Sequence, residues 1–374
     1  MIKITISNDI LRRIIAIESN RHSLWGLKIA PSVINRLRKN SKKKSAYASN
    51  RIEGNPLSEE QVSALLEKDG HRHFLKPEIE IRNYFLALGF LSESLKKKAP
   101  FSKQLILDTQ ALVEKGASPE KIGLRGPMPP GVLFAVYDSA SGRPDYIPPE
   151  HSDVPALLDE LVSYVNKSDD HPLIKAGVVH YQLVTIHPFE DGNGRTARLM
   201  SGYILDYYGY DFLGIGSLDE YFAYDVDEYY KSLQMGLPAL YYDGRDNPPH
   251  PEIWIDYFLR MVELYSSKVV DVSNSSSDES ISAPISFLNK SESGFLLNLL
   301  AGGYASYKPA EMARLLSVNN KTIINHSAKL VSAGFLIPVL VKERITSYRL
   351  SDFALENKKT LVEMLKKKSS PIRP

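Results

Sequence analysis

The chain has 374 residues, which at about 100–200 residues per domain allows two or three domains and a core that needs no covalent staples. Its 43% hydrophobic and 24% charged residues are those of a globular protein, not of a disordered or collagen-like one. Lys+Arg 46 against Asp+Glu 44 leave a formal net charge of +2, so a polyanion-binding surface has to be local, and the lack of cysteine excludes disulfides, thiolate catalysis and Cys-ligated zinc.

In the first stretch, Met1 to Asn20, Arg12 and Arg13 interrupt the apolar residues, so the pattern is not that of a secretion signal. No window approaches the roughly 18 consecutive apolar residues of a membrane-spanning helix, and the expected compartment is the cytoplasm with no membrane partner. Gln61, Val62, Leu65 and Leu66, and later Leu157, Leu158, Leu161, Val162 and Val165, fall on single helical faces, which predicts a mainly α first region. Between them, VLFAVYD and DYIPP flank SASGRP within Gly131 to Pro149, the pattern of a β-hairpin bracketed by prolines.

The run AGVVHYQLVTI predicts a helix that Pro188 ends. The chain then reads His187-Pro188-Phe189-Glu190-Asp191-Gly192-Asn193-Gly194-Arg195-Thr196-Ala197-Arg198. Gly192 and Gly194 let a backbone approach a ligand, and a helix starting near Asn193 offers unpaired N–H groups and a positive dipole end to an anion. Arg195 and Arg198, three apart, share a face of that helix and suit a polyphosphate. Asp191 supplies a hard oxygen for Mg²⁺, and His187 is the side chain able to take a proton near neutral pH. Taken singly, the histidine could be structural, the aspartate an N-cap and the arginines solvated charges.

Val272 to Ile285, VSNSSSDESISAPI, is serine-rich and reads as a linker. Beyond it, helices are predicted over Glu292 to Leu300, Pro309 to Leu316 and Asn320 to Ala333, the last ended by Gly334. LIPVLV and TSYRLS then form a ribbon about a charged turn, completing the order of a winged helix. From Lys308 onward thirteen Lys/Arg stand against five Asp/Glu, while the third helix offers Lys321, Asn325, His326 and Lys329 to a groove; DNA or a protein is the expected partner. His71 and His73 lack a third metal ligand at useful spacing, His180 falls on the helical face of His187 as an expected packed neighbour, and the lysine runs at Lys42 and Lys366 are expected to be solvated.

The segment from His187 to Arg198 resembles the Fic family signature HPFx[DE]GNGRxxR at every fixed position. The resemblance implies transfer of AMP from ATP to a protein hydroxyl with release of pyrophosphate. It assigns His187 as general base, Asp191 as magnesium ligand, Phe189 as core anchor, Gly192, Asn193 and Gly194 as the anion hole, and Arg195 and Arg198 to the β and γ phosphates. Upstream, Ser49-Asn50-Arg51-Ile52-Glu53-Gly54 is similar to the family's inhibitory motif [ST]xxxE[GN], although Glu53 before a glycine is also how a helix can end. The implied inhibition is a bidentate Glu53 to Arg198 pair that takes the γ phosphate's place. Glu228-Tyr229-Tyr230 resembles the paired tyrosines near the adenine, with Tyr229 as a nucleotide contact, but Leu237 stands where some members have a base-reading asparagine. The hairpin takes the position of the family's flap, which docks a target chain by strand addition.

The expected architecture is therefore mainly α: an N-terminal helical region with the inhibitory motif (1–110), a Fic core (111–270), a linker (271–285) and a winged helix (286–374). The expected activity is an autoinhibited protein adenylyltransferase using ATP and Mg²⁺, with a homodimer left open. The alternatives are a DNA-binding regulator whose Fic domain binds nucleotide, or a Fic enzyme that moves another phosphate-containing group or removes AMP.

Overall fold

A computed structural model describes residues 3–25, 29, 31–67, 73–132, 134–137, 144–235, 248, 250–341 and 344–368. It divides into two compact units, one mainly from residues up to Val272 and one mainly from Ser273 onward. The first is helical, with α1 (Asn8–Ser23), α2 (Pro31–Ile52), α3 (Glu59–Glu67), α4 (Lys76–Lys96), α5 (Lys103–Glu114), α6 (Val154–Lys167), α7 (Pro172–Ile186), α8 (Asn193–Tyr207), α9 (Asp219–Tyr224), α10 (Val226–Gln234) and the start of α11 (Pro251–Ser286), whose residues from Ser273 on belong to the second. Between α5 and α6, β1 (Val136–Tyr137) pairs antiparallel with β2 (Pro144–Tyr146). That is the expected hairpin; residues 138–143, most of its turn, lie outside the described residues.

Helices α7 and α8 pack most extensively against each other and carry the motif between them. Almost every side chain of α7 is buried, so its sequence is apolar on all sides instead of showing one stripe. Its start is set by Pro172 in the first turn, with the His171 side chain accepting from Leu173 N. Ser102 caps α5 by accepting from Leu105 N at 3.2 Å, and this fixes the helix that faces the motif from the other side. The boundary expected at residue 110 falls inside α5, and no division of the compact unit occurs there.

In the second unit, α12 (Lys290–Ala301), β3 (Ser306–Tyr307), α13 (Pro309–Leu315), α14 (Asn320–Ser332), β4 (Leu336–Val341), β5 (Arg344–Leu350), α15 (Asp352–Glu356) and α16 (Lys358–Lys368) surround their own core. The sheet order is β3-β5-β4. The sequence reading omits β3, which is two residues long, and the last two helices. The stretch expected as a linker is instead helical: α11 runs through it to Ser286. Its first turns are held by buried Trp254, Phe258 and Val262, and once a helix is nucleated each added residue gains a backbone bond, so modest serine propensities are enough to propagate it.

Candidate active site

The motif begins where α7 ends. His187 adopts a left-handed conformation, φ 49°, and Pro188 cannot continue the hydrogen-bond ladder. The His187 Nδ1 lies 3.2 Å from Val184 O. A carbonyl only accepts, so Nδ1 carries the proton and Nε2 keeps its lone pair. Burial, opposed by the Val184 bond and reinforced by the Arg125 cation, pushes the imidazole down to about 4. At neutral pH it is an uncharged base.

Phe189 is fully buried, and the Asn193 side chain clamps its backbone from both sides: Phe189 N donates to Asn193 Oδ1 at 3.0 Å and Asn193 Nδ2 donates to Phe189 O at 2.9 Å. The Asn193 side-chain amide is thus spent on the loop and is not free for an anion. Phe189→Ala is expected to cost about 3–5 kcal/mol, the usual range for a buried aromatic. The urea midpoint of unfolding measures it.

Gly192 sits at φ +80°, and a β-carbon there would fall 2.6 Å from Glu114 Oε1. The residue is glycine for conformation and for space. Glu114, at the end of α5, was not singled out from sequence; 81 positions separate it from Arg195, whose Nη2 donates to its Oε1 at 2.8 Å. Both side chains are buried, at 5% and 1% exposure. Burial, eased by Arg195, pushes the Glu114 carboxyl up to about 7. Arg195 Nε and Nη1 are buried without a hydrogen-bond partner, so two nitrogens carrying three N–H donors are left unpaired.

Asp191 Oδ1 accepts from Gly192 N at 2.8 Å and from Arg195 Nη2 at 3.2 Å, and Oδ2 from Lys121 Nζ at 3.1 Å. Burial acts to raise this carboxyl, but Lys121 and Arg195 hold it below its ordinary range. Gln110 braces the loop by donating to Asp191 O and Lys121 O and accepting from Gly123 N. Lys121 and Gln110, like Glu114, act across long sequence separations and leave no motif.

Arg198 is 1% exposed and collects the residues of the upstream motif. Its Nε donates to Ser49 Oγ at 2.7 Å, and its Nη2 donates to Ser49 O at 3.0 Å and to Glu53 Oε1 at 2.7 Å. The expected bidentate Glu53 pair is therefore corrected: the guanidinium fork is shared between Ser49 and a single Glu53 oxygen. Tyr229 OH lies 3.5 Å from Arg198 Nη1 and 2.8 Å from His180 Nε2, which makes His180 a buried partner of the tyrosine. Asp219 Oδ1 stands 3.8 Å from Arg198 Nε and accepts from Tyr84 OH at 3.1 Å. Glu53 follows the last residue of α2, with Gly54 at φ +81°, so it stands at a helix end. At Gly194 a β-carbon would meet Glu53 Oε1 at 2.3 Å, which places the carboxylate against the first turn of α8. Leu237 and His71 lie outside the described residues, and no group of three or more potential metal ligands occurs among the described residues.

Residues 100–205 match the sequence model of the Fic/DOC family. This segment is a Fic domain. The chain is similar to protein adenylyltransferase Fic of Drosophila virilis, at 30% identity over 206 residues covering 53% of this chain and 40% of that one. It is 29% identical over 206 residues to the protein of the same name in Drosophila grimshawi, again covering 53% and 40%. The chain thus spans about two fifths of the length of these curated relatives. Among solved structures, Fic-1 from C. elegans superposes with a TM-score of 0.54 at 25% identity, covering 71% of this chain and 72% of that one. A Fic family protein from Desulfovibrio desulfuricans has the same fold at TM-score 0.60 and 18% identity, covering 94% of this chain and 98% of that one. The Fic domain thus includes α5, which supplies Glu114 and Gln110, as well as the motif helices. No described helix is long and apolar enough to cross a membrane.

Proposed function

We propose that the protein transfers AMP from ATP to a hydroxyl of a target protein, and that Glu53 holds this activity in check. The observation that carries the reading is the convergence, within 187–198, of a neutral imidazole with an open Nε2 and an anion site of two buried arginines at a helix start. The acceptor hydroxyl attacks the α phosphorus as His187 Nε2 takes its proton; the bond from that phosphorus to the bridging oxygen breaks and pyrophosphate leaves. Arg195 and Arg198 hold the departing charge. The β1–β2 hairpin offers its edge to the target chain.

The donors present fit magnesium. Asp191 offers one ionised carboxylate at the mouth of the loop, and with no cluster of further protein ligands among the described residues the rest of the coordination falls to phosphate oxygens and water, which Mg²⁺ favours. When bound, the ion would neutralise phosphate charge. The test uses ATP labelled at the α or the γ phosphate with Glu53→Gly protein and cell lysate. Label from the α position alone is expected in protein bands. Transfer is expected to vanish in EDTA and to fall by about tenfold or more in Asp191→Asn, while the melting temperature stays close to wild type. Full activity in chelator, or label from the γ position, would contradict the reading.

For the second unit, read as a winged helix, the excess of basic residues after Lys308 supports a DNA partner, and a protein dock is the other reading. A gel shift with a salt titration separates these two.

A further inference from the structure

Arg125 lies outside the motif and has no part in the chemistry above, yet it is only 5% exposed and its polar groups serve three separate elements. Its backbone N–H donates to Pro188 O at 2.9 Å. Its Nε donates to His187 O at 2.8 Å, and its Nη2 donates to Pro149 O. The guanidinium also covers the Phe134 ring, 4.8 Å from its centroid. Phe134 precedes β1 and Pro149 follows β2, so both ends of the hairpin meet on one side chain. The Phe134 ring in turn lies 5.9 Å from the His187 ring.

This arrangement is closely packed. The neighbouring Leu124 bridges to Phe189, and the cavity lined by Arg125, Val132, Phe134, Ile147 and Pro149 is only about 20 Å³, roughly one water. His187 holds a left-handed backbone that a side chain beyond glycine adopts only when its surroundings impose it, and the bond from Arg125 Nε to its carbonyl is one such constraint. A lysine could supply the charge but not the planar fork that reaches two carbonyls and stacks on a ring.

We propose that Arg125 is a positioning residue that couples the hairpin to His187, so that a chain docked on the hairpin re-aims the imidazole through one guanidinium. The consequence for acceptor-dependent turnover rests on the adenylyltransferase reading; the coupling does not. Full-length protein with isotope-labelled histidine allows the His187 ring, identified by its loss in His187→Ala, to be followed by NMR as pH is varied. The ring is faced by Arg125, Glu53 and Asp191, and of these Arg125 lowers its proton affinity. Arg125→Met is expected to raise the midpoint of His187, and Arg125→Lys to recover part of that change. Phe134→Leu is expected to shift the midpoint when Arg125 is present and to lose most of its effect in Arg125→Met, a non-additivity that a direct ring contact would not give.

Kinetics in the Glu53→Gly background supply the second readout. Arg125→Met should lower kcat by about tenfold or more while KM for ATP stays within about twofold, whereas general loss of structure would move both. If Arg125→Met does not fold, Arg125→Lys is read in its place. An unchanged His187 midpoint, or additive effects of Phe134→Leu and Arg125→Met, overturns the proposal. Failure of Glu53→Gly protein to transfer label would overturn the functional reading and leave the titration result standing.

Discussion

Glu53→Gly is expected to raise both ATP affinity and AMP transfer, by about 10- to 150-fold in affinity. That range corresponds to roughly 1.5–3 kcal/mol for a charge-assisted hydrogen bond that ATP no longer has to displace. The bond in question is the 2.7 Å contact from Arg198 Nη2 to Glu53 Oε1, with Arg198 1% and Glu53 34% exposed. Burial works against the Arg198 charge, but Glu53, Tyr229 and Asp219 more than restore it, so the guanidinium stays firmly protonated and ready for a phosphate. Arg198→Ala should act in the opposite sense, because it removes the partner of inhibitor and nucleotide together. The double mutant Glu53→Gly/Arg198→Ala should therefore show none of the gain of the first change, and the two effects should be strongly non-additive. Transfer of α-labelled AMP by the four proteins at equal concentration, with ATP titrations of each, decides the matter. Unchanged affinity and transfer in Glu53→Gly would reduce the upstream motif to a helix end.

His187→Ala is expected to lose on the order of 10²–10⁴ in transfer rate while still binding ATP, since on the proposed mechanism the imidazole takes the acceptor's proton and does not hold the phosphates. Retained transfer would remove the general-base assignment. The same residue carries a pH signature. Its folded midpoint of about 4 lies below the ordinary 6.5, so the native chain binds fewer protons there than the unfolded one. Its contribution to stability is therefore lost as pH falls from about 6.5 towards 4. Glu114 runs the other way, its midpoint being raised to about 7. Comparing urea midpoints of wild type and His187→Ala at pH 7 and pH 5 isolates the histidine: wild type should lose relative stability on acidification and the variant should be spared that loss.

The motif was legible because its chemistry is local. Helix end, glycine turn and helix start occupy twelve consecutive residues, His187 to Arg198, and each step has a residue type that the backbone demands. The pairing of Glu53 with Arg198 was within reach only because both segments carry recognisable spacing; its geometry was not, and Ser49 takes the place given to a second carboxylate oxygen. What stayed hidden is the set of partners that the fold brings in from afar. Glu114, Gln110 and Lys121 come from α5 and the turn after it, and Asp219 and Tyr84 from two further elements. A carboxylate on a helix looks the same in sequence whether it faces water or a buried arginine. The serine-rich segment failed for a different reason: composition weighs what a stretch can bury for itself, whereas a preceding buried turn can extend into it.

Glu53 sits just beyond the final residue of α2, whereas Ser49, within that helix, keeps its own two bonds to Arg198. Under the proposed inhibition the latch is therefore a side chain and not a helix. Release requires rotation about the bonds of one glutamate next to a glycine, with α2 in place and Asp219 still beside the guanidinium to balance it. Opening the pair means breaking a charge-assisted bond to a guanidinium that is 1% exposed, which is slower than the ps–ns flip of an unpaired, exposed side chain. Under the proposed inhibition the glutamate and ATP compete for one guanidinium, so the expected check is graded by ATP concentration, and a lasting on-state demands something that keeps the glutamate away.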